Sequence, residues 1–181
     1  MRYPDDDSIL QLLRDEATKR KGFEQLVRKY TSTLYWQIRR MVVSHEDADD
    51  VLQNTLIKAW RGLDGFRGES KLSTWLYRIA INESLIFLQR KKGGVSLDSE
   101  ESSIAEHLES DVYFDGDAID VRLQQALATL PAKQRLVFNM KYFDDMKYED
   151  MSEILKTSVG ALKASYHIAV GKIRQFFEEH D

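Results

Sequence analysis

Along "DADDVLQNTLIKAW", residues 47–60, Ala48, Val51, Leu52, Thr55, Leu56 and Ala59 recur at three- and four-residue steps, the mark of a helix with one buried stripe. On the far side Asp50, Gln53, Ile57 and Arg61 fall together with Trp60 at their edge, so two large apolar side chains face outward. Ser44, with Asp47 three positions on, reads as a variant capping box that opens this helix. The same spacing predicts a first helix from near Asp7 or Ser8 with Leu10 and Leu13 inward. It predicts a second carrying Phe23, Leu26, Val27, Tyr30, Leu34, Ile38 and Met41. Gly62, Gly65 and Gly68 then break the chain. A fourth helix starts between Leu72 and Thr74 and runs to about Lys91, with Leu72, Leu76, Ile79, Ala80, Ile86 and Phe87 inward. Strand-like alternation is missing from residues 8–92.

The periodicity fails in "KKGGVSLDSEESSIAEHLESDVYFDGDA", whose paired glycines, serines and acid run mark a linker. Ile104–Leu108 has the makings of one transient helical turn, and some 25 residues span at most about 85 Å when stretched. From Ala118 the helical pattern returns over Val121–Leu130, then Pro131 at a helix first turn, then Arg135–Tyr142. "YEDMSEIL", a break at Lys156 and Thr157, and the long "SVGALKASYHIAVGKIRQFFEE" form a helix-turn-helix pattern, packed through Val159, Leu162, Tyr166, Ala169, Ile173 and Phe176. The expected architecture is all-α: two small helical domains, 1–92 and 118–181, joined by a flexible acidic linker, 93–117.

Charge sharpens this division. The net charge is -4, yet residues 21–92 hold 13 Lys/Arg against 8 Asp/Glu, while residues 93–120 hold nine Asp/Glu and no Lys or Arg. A basic domain beside an acidic tether points to a polyanion partner for one part and a different task for the other. The acidic start MRYPDDDS and the shortness of every apolar run predict neither a signal peptide nor membrane insertion, hence a cytoplasmic protein. The lack of cysteine excludes thiolate metal sites, and His45, His107, His167 and His180 stand too far apart in sequence to suggest zinc.

The candidate chemistry is that of binding. In the fourth helix Lys71, Thr74, Arg78, Asn82, Leu85 and Gln89 align, flanked by Trp75 and Tyr77 and closed by Arg90, Lys91 and Lys92. Cations for phosphates and rings for stacked bases are what single-stranded nucleic acid needs, at about 1–3 kcal/mol per stacked base. Trp75 and Tyr77 also read as completions of the core, the reading preferred for Trp75, and Asn82 either as an ordinary polar residue or as an amide that reads a base edge. In the last helix Lys163, His167 and Arg174 lie off the buried stripe, near Gly160 and Ala164, either as a solvated basic face or as a groove reader. Glu46, Asp47, Asp49 and Asp50 fit a helix first turn, where the macrodipole favours negative charge. No phosphate loop, nucleophile elbow or His-Glu zinc motif occurs, so the reading is non-enzymatic, with no cofactor, no metal and no catalytic residue.

Taken together, three stretches resemble the extracytoplasmic-function (ECF) group of bacterial RNA polymerase sigma factors, in that family's order and over nearly the whole chain. "DADDVLQNTLIKAW" is similar to its most recognisable helix. "FRGESKLSTWLYRIAINESLIFLQRKK" looks like its promoter-melting segment, and "LPAKQRLVFNMKYFDDMKYEDMSEILKTSVGALKASYHIAVGKI" looks like its C-terminal helix-turn-helix. The resemblance implies a factor that binds core RNA polymerase and directs promoter-specific initiation. Asp50, Gln53, Asn54, Ile57 and Trp60 would then contact a coiled coil of the largest catalytic subunit. Lys71, Ser73, Thr74, Trp75, Tyr77, Arg78 and Asn82 would face the minus-10 element, where strands separate and a base is extruded. Ser158, Gly160, Lys163, Ala164 and His167 would lie nearest the minus-35 element.

The chain departs from the commoner family pattern in its last helix: Ser165, Ile168 and Val170 stand where basic residues are frequent, and Gly171 weakens the helix interior by ~1 kcal/mol. Shape readout and phosphate anchoring then carry more of the minus-35 specificity than arginine–guanine pairs. The family also implies an anti-sigma partner that clamps the two domains shut, and a tether running toward the RNA exit channel as a mimic of the transcript. The competing reading, from the residues alone, is a stand-alone helix-turn-helix regulator that binds duplex DNA without polymerase.

Overall fold

The computed structural model describes residues 4–42, 44–92 and 118–180, all helices and short connections with no strand among them. The linker 93–117, and with it the expected acidic tether and the turn at Ile104–Leu108, lies outside the described residues. In chain order the helices are α1 (Asp6–Arg14), α2 (Lys19–Val42), α3 (His45–Gly62), α4 (Leu72–Lys92), α5 (Ala118–Ala128), α6 (Ala132–Tyr142), α7 (Tyr148–Leu155) and α8 (Val159–Glu179).

Helix α1 opens where Asp5 accepts a hydrogen bond from the Ser8 backbone N–H at 2.7 Å, with Asp6 and Asp7 in the first turn, where the dipole favours them. Its inward residue is Ile9, fully buried, and the expected Leu10 and Leu13 are only partly covered. The turn is stapled to α2 by Asp6, which accepts from the Tyr30 hydroxyl at 2.8 Å and the Lys29 ammonium at 2.7 Å. The two helices pass so close that a Cβ at Gly22 would sit 2.9 Å from Leu12 Cβ and 3.0 Å from the Leu13 backbone nitrogen.

Ser44 caps α3 by accepting from the Asp47 N–H at 3.3 Å, and Ala48, Val51, Leu52, Thr55 and Ala59 are buried against α2 and α4, as their spacing predicts, while Leu56 of the same stripe is only partly covered. Beyond Gly62 a single 3-10 turn, Leu63–Gly65, and a left-handed Gly68 at φ +74° reverse the chain into α4. Leu72, Leu76 and Ala80 are buried as expected, with Ile79 and Phe87 packed on the core, but Ile86 is 36% exposed while Ile81 and Ser84 are buried, the Ser84 hydroxyl donating to the Ala80 carbonyl at 2.9 Å. A helix packed against α2, α3 and α7 is covered on several sides, which blurs the apolar stripe on which the sequence reading relied.

In the C-terminal half Pro131 stands immediately before the first residue of α6. Lys156 takes a left-handed conformation, φ +52°, to turn α7 into α8, and Ser158 caps α8 by accepting from the Ala161 N–H at 3.2 Å. Ala126, Leu127, Leu130, Phe138, Ala169 and Ile173 form one small core. Arg135, Leu136, Val137, Phe138, Asn139 and Met140 are buried in succession, so α6 is enclosed all round. Its second partner is the N-terminal bundle: α6 packs on α2 and α7 on α4. Leu136, Val137, Met140, Met151 and Ile154 thus join the apolar cluster of Ile38, Met41 and Ile81.

Candidate functional site

Three surfaces carry the residues singled out by the sequence. On the outer face of α3, Asp50, Gln53, Asn54, Ile57 and Trp60 are all exposed, Ile57 at 48% and Trp60 at 41%. Trp60 is held rather than free: the Phe23 ring meets it edge-on at 5.0 Å and the Lys19 ammonium lies 5.7 Å from its centroid. Half-exposed apolar groups ringed by polar ones, on a helix fixed by the buried stripe behind, are the make-up of a protein interface. The sequence reading missed Trp36 on α2, 40% exposed and edge-on to Tyr35 at 5.3 Å. Only the burial of its helical neighbours marks Trp36 as turned outward.

The α4 set divides. Lys71 and Asn82 are exposed, Ser73 is half-buried, and Thr74 is buried at 8% exposure, so its side chain supports the helix instead of meeting solvent. Trp75 packs on Phe66 at 4.9 Å and against Gly62, where a Cβ would come within 3.3 Å of its ring. Tyr77 packs against the main core, and burial pushes its hydroxyl above the usual phenol range, with the Asp144 and Asp6 charges adding to the effect. Arg78 is ion-paired with Glu153 of α7 at 3.4 Å.

Asn82 stands between two concavities. One, of about 630 Å³, lies between α3 and α4 and is lined by Lys58, Gly62, Trp75, Ile79 and Gln89 among others. The other, of about 450 Å³, lies between α4 and the C-terminal helices, where Arg78 and Asn82 face Lys133, Lys156, Ala161 and Ser165. Lys133 and Lys156 were not singled out by the sequence, because their approach to α4 depends on the docking of the two bundles.

On α8, Ser158, Gly160, Lys163, Ala164 and His167 are all exposed, with nothing within 4 Å of where a Gly160 Cβ would lie and Lys163 5.6 Å from the Tyr148 ring. Small residues at the start of a helix allow its backbone to approach a groove closely. Among the described residues, no group of three or more His, Cys, Asp or Glu side chains could hold a metal ion. No helix among them is long and apolar enough to cross a membrane.

Comparison with known proteins agrees with this division. Residues 26–93 match the family model for sigma-70 region 2, and residues 120–173 that for sigma-70 region 4. The chain is 31% identical over 161 residues to the RNA polymerase sigma-H factor of Pseudomonas aeruginosa, covering 83% of each protein. It is 31% identical over 156 residues to the ECF RNA polymerase sigma factor SigW of Bacillus subtilis, covering 81% of this chain and 83% of that one. Among solved structures it is similar to the sigma factor RpoE from Bartonella quintana, in complex with the anti-sigma factor NepR. That match has a TM-score of 0.71 and 26% identity, over 87% of this chain and 98% of that one. A second, CnrH in complex with the cytosolic domain of CnrY, shares the fold at a TM-score of 0.71 and 23% identity. With both helical halves matched in order and the shared identity extending across the segment between them, the chain belongs to the ECF group of RNA polymerase sigma factors.

Proposed function

We propose that this sigma factor grips core RNA polymerase through the outer face of α3, with Ile57 and Trp60 as apolar anchors and Asp50, Gln53 and Asn54 as the polar rim. The observation that carries the reading is the two-faced α3: one stripe is buried at 8% exposure or less, while the opposite face keeps Ile57 and Trp60 at 48% and 41%. Phe23 and Lys19 hold Trp60 at one edge only, and folding alone does not account for keeping so much of Ile57 and Trp60 in water.

As a sigma factor the chain binds core polymerase and directs promoter-specific initiation. In the proposed assignment, Lys71, Arg78 and Asn82 meet the minus-10 strand, and Ser73 lines their approach. Trp75 and Tyr77 present ring edges from a packed position, and Thr74 holds the helix. Ser158, Gly160, Lys163, Ala164 and His167 meet the minus-35 duplex. Strand separation is driven by binding, because stacking and phosphate contacts offset the few kcal/mol of unpairing. The factor carries out no chemistry and acts in the cytoplasm, where its polymerase is. An anti-sigma factor is a further expected partner.

Run-off transcription from random promoter fragments tests the reading. Wild-type chain with core enzyme yields discrete transcripts, and D50K/I57E yields none. If the chain footprints a duplex site tightly without core enzyme, and core enzyme adds nothing, it is instead a stand-alone helix-turn-helix regulator.

A further inference from the structure

Opposite its buried stripe, α8 presents an outward strip of low relief. By helical spacing, the direction away from buried Leu162, Ala169 and Ile173 is shared by Gly160, Ala164, His167, Ile168 and Gly171, every one of them exposed. Gly160 and Gly171 have nothing within 4 Å of where a Cβ would stand, and Ala164 adds only a methyl. Ile168 rises from this strip: it is 49% exposed and packs in neither apolar core of the described residues. The three positions where α8 departs from the commoner family pattern thus part ways. Val170 is half-buried against the small C-terminal core and Ser165 lines the cavity toward α4, so of the three only Ile168 projects outward.

That relief decides what the helix can read. A helix nearly bare at Gly160, Ala164 and Gly171 lets its backbone lie deep in a major groove, where an aliphatic side chain between them reaches the base edges. Isoleucine has neither donor nor acceptor. Covering a guanine oxygen or a cytosine amine would therefore strip that group of water and leave it unpaired. The apolar feature that the major groove does offer is the C5-methyl group of thymine. Charge stands to either side of the strip, with Lys163 5.6 Å from the Tyr148 ring on one flank and Lys172 donating to Gln134 at 3.1 Å on the other. Such flanking cations suit phosphates and set register, while the strip between them meets the bases.

We propose that Ile168 is a specificity-determining residue that covers a thymine methyl in the minus-35 element, so that one A·T pair there is fixed by apolar contact. The inference rests on the assignment of α8 to minus-35 DNA and goes beyond it, naming the base and the group on that base that is read. Lys163 and Lys172 anchor the backbone on either side, and the choice of thymine over cytosine falls to Ile168.

Holoenzyme formed with core polymerase is offered promoters that keep a minus-10 element recovered by run-off selection and carry a randomised upstream element. The wild-type factor enriches a thymine at one upstream position. I168A, whose substitution lies outside both cores, loses the enrichment there and keeps it elsewhere. Replacing that thymine by deoxyuridine removes only the methyl group: binding by wild-type holoenzyme falls about fourfold, and binding by I168A holoenzyme does not change. Equal affinity of wild type for the thymine and deoxyuridine templates overturns the proposal, and so does an unaltered selection by I168A. In either case the upstream bases that wild type still enriches keep α8 on the DNA. When none is enriched and K163A binds as wild type does, the α8 assignment itself fails, and the proposal with it.

Discussion

Arg40 donates to the Asp144 carboxylate at 2.8 Å across 104 positions of sequence, and burial works against both partners. Desolvation lowers the Arg40 guanidinium and raises the Asp144 carboxyl, in each case outweighing the pull of the opposite charge. A pair of this kind adds little to stability as a whole, though removing one member leaves a buried charge uncompensated.

The pH dependence of stability follows from the sign of that shift. Asp144 sits above its ordinary 3.8 in the folded protein, so its contribution to stability is present in full below that value and is lost as pH rises through the raised one. Arg40 and Gln37 of α2 and Tyr77 of α4 are the groups around it. Denaturant unfolding between about pH 7 and pH 4 shows wild type gaining stability relative to D144N on acidification, since the variant is neutral throughout. Identical profiles refute the assignment.

On α3 the expected effects on stability and binding separate. Replacing exposed Ile57 by Glu or Asp50 by Lys shifts unfolding by no more than about 0.5 kcal/mol. W60A weakens polymerase binding by about 2 kcal/mol or more if Trp60 is an anchor. Titration against core enzyme and thermal melts of the free chain give the two numbers. Parallel losses in both would make Trp60 a structural residue, through its contact with Phe23.

Lys71 is exposed, and among the described residues no ion pair holds it back from phosphate. K71A therefore reduces the salt dependence of binding to an unpaired minus-10 strand by about 0.7 in slope, the loss of one phosphate contact. An unchanged slope, measured on the holoenzyme with a bubble template, removes Lys71 from the interface.

Two glycines respond in opposite directions to the same substitution. At Gly22 the new Cβ meets Leu12 Cβ at 2.9 Å and Leu13 backbone at 3.0 Å, so G22A forces α1 away from α2, at about 1–3 kcal/mol. At Gly171, exposed within α8, nothing lies within 4 Å, and G171A stabilises by up to ~1 kcal/mol through helix propensity. Denaturant unfolding of the two variants checks both signs. The latter variant also tests whether a weak α8 interior matters for promoter choice.

Much of the local structure was legible in the residues. The α3 stripe, the Ser44 cap, the glycine break after α3 and the α7–α8 turn each depend on neighbours within a few positions, and each appears where the pattern predicts it. Exposure of Ile57 and Trp60 follows from the same periodicity, since a helix that buries Val51, Thr55 and Ala59 turns them outward. The errors came where one stripe was not the whole story. Thr74 and Ile86 changed sides, and buried Ile81 went unassigned, because α4 has neighbours on several faces, and Ile9 replaced Leu10 because α1 crosses α2 at Gly22.

What the sequence determined by itself was the set of helices, their caps and the outward face of α3, because dihedral preference and amphipathic spacing act over one or two turns. Only the tertiary structure decided that α6 lies against α2, that Arg40 meets Asp144, and that Arg78 is held by Glu153. Such contacts join charges dozens to a hundred residues apart, and their formation depends on how two preformed bundles meet. No local periodicity records that choice.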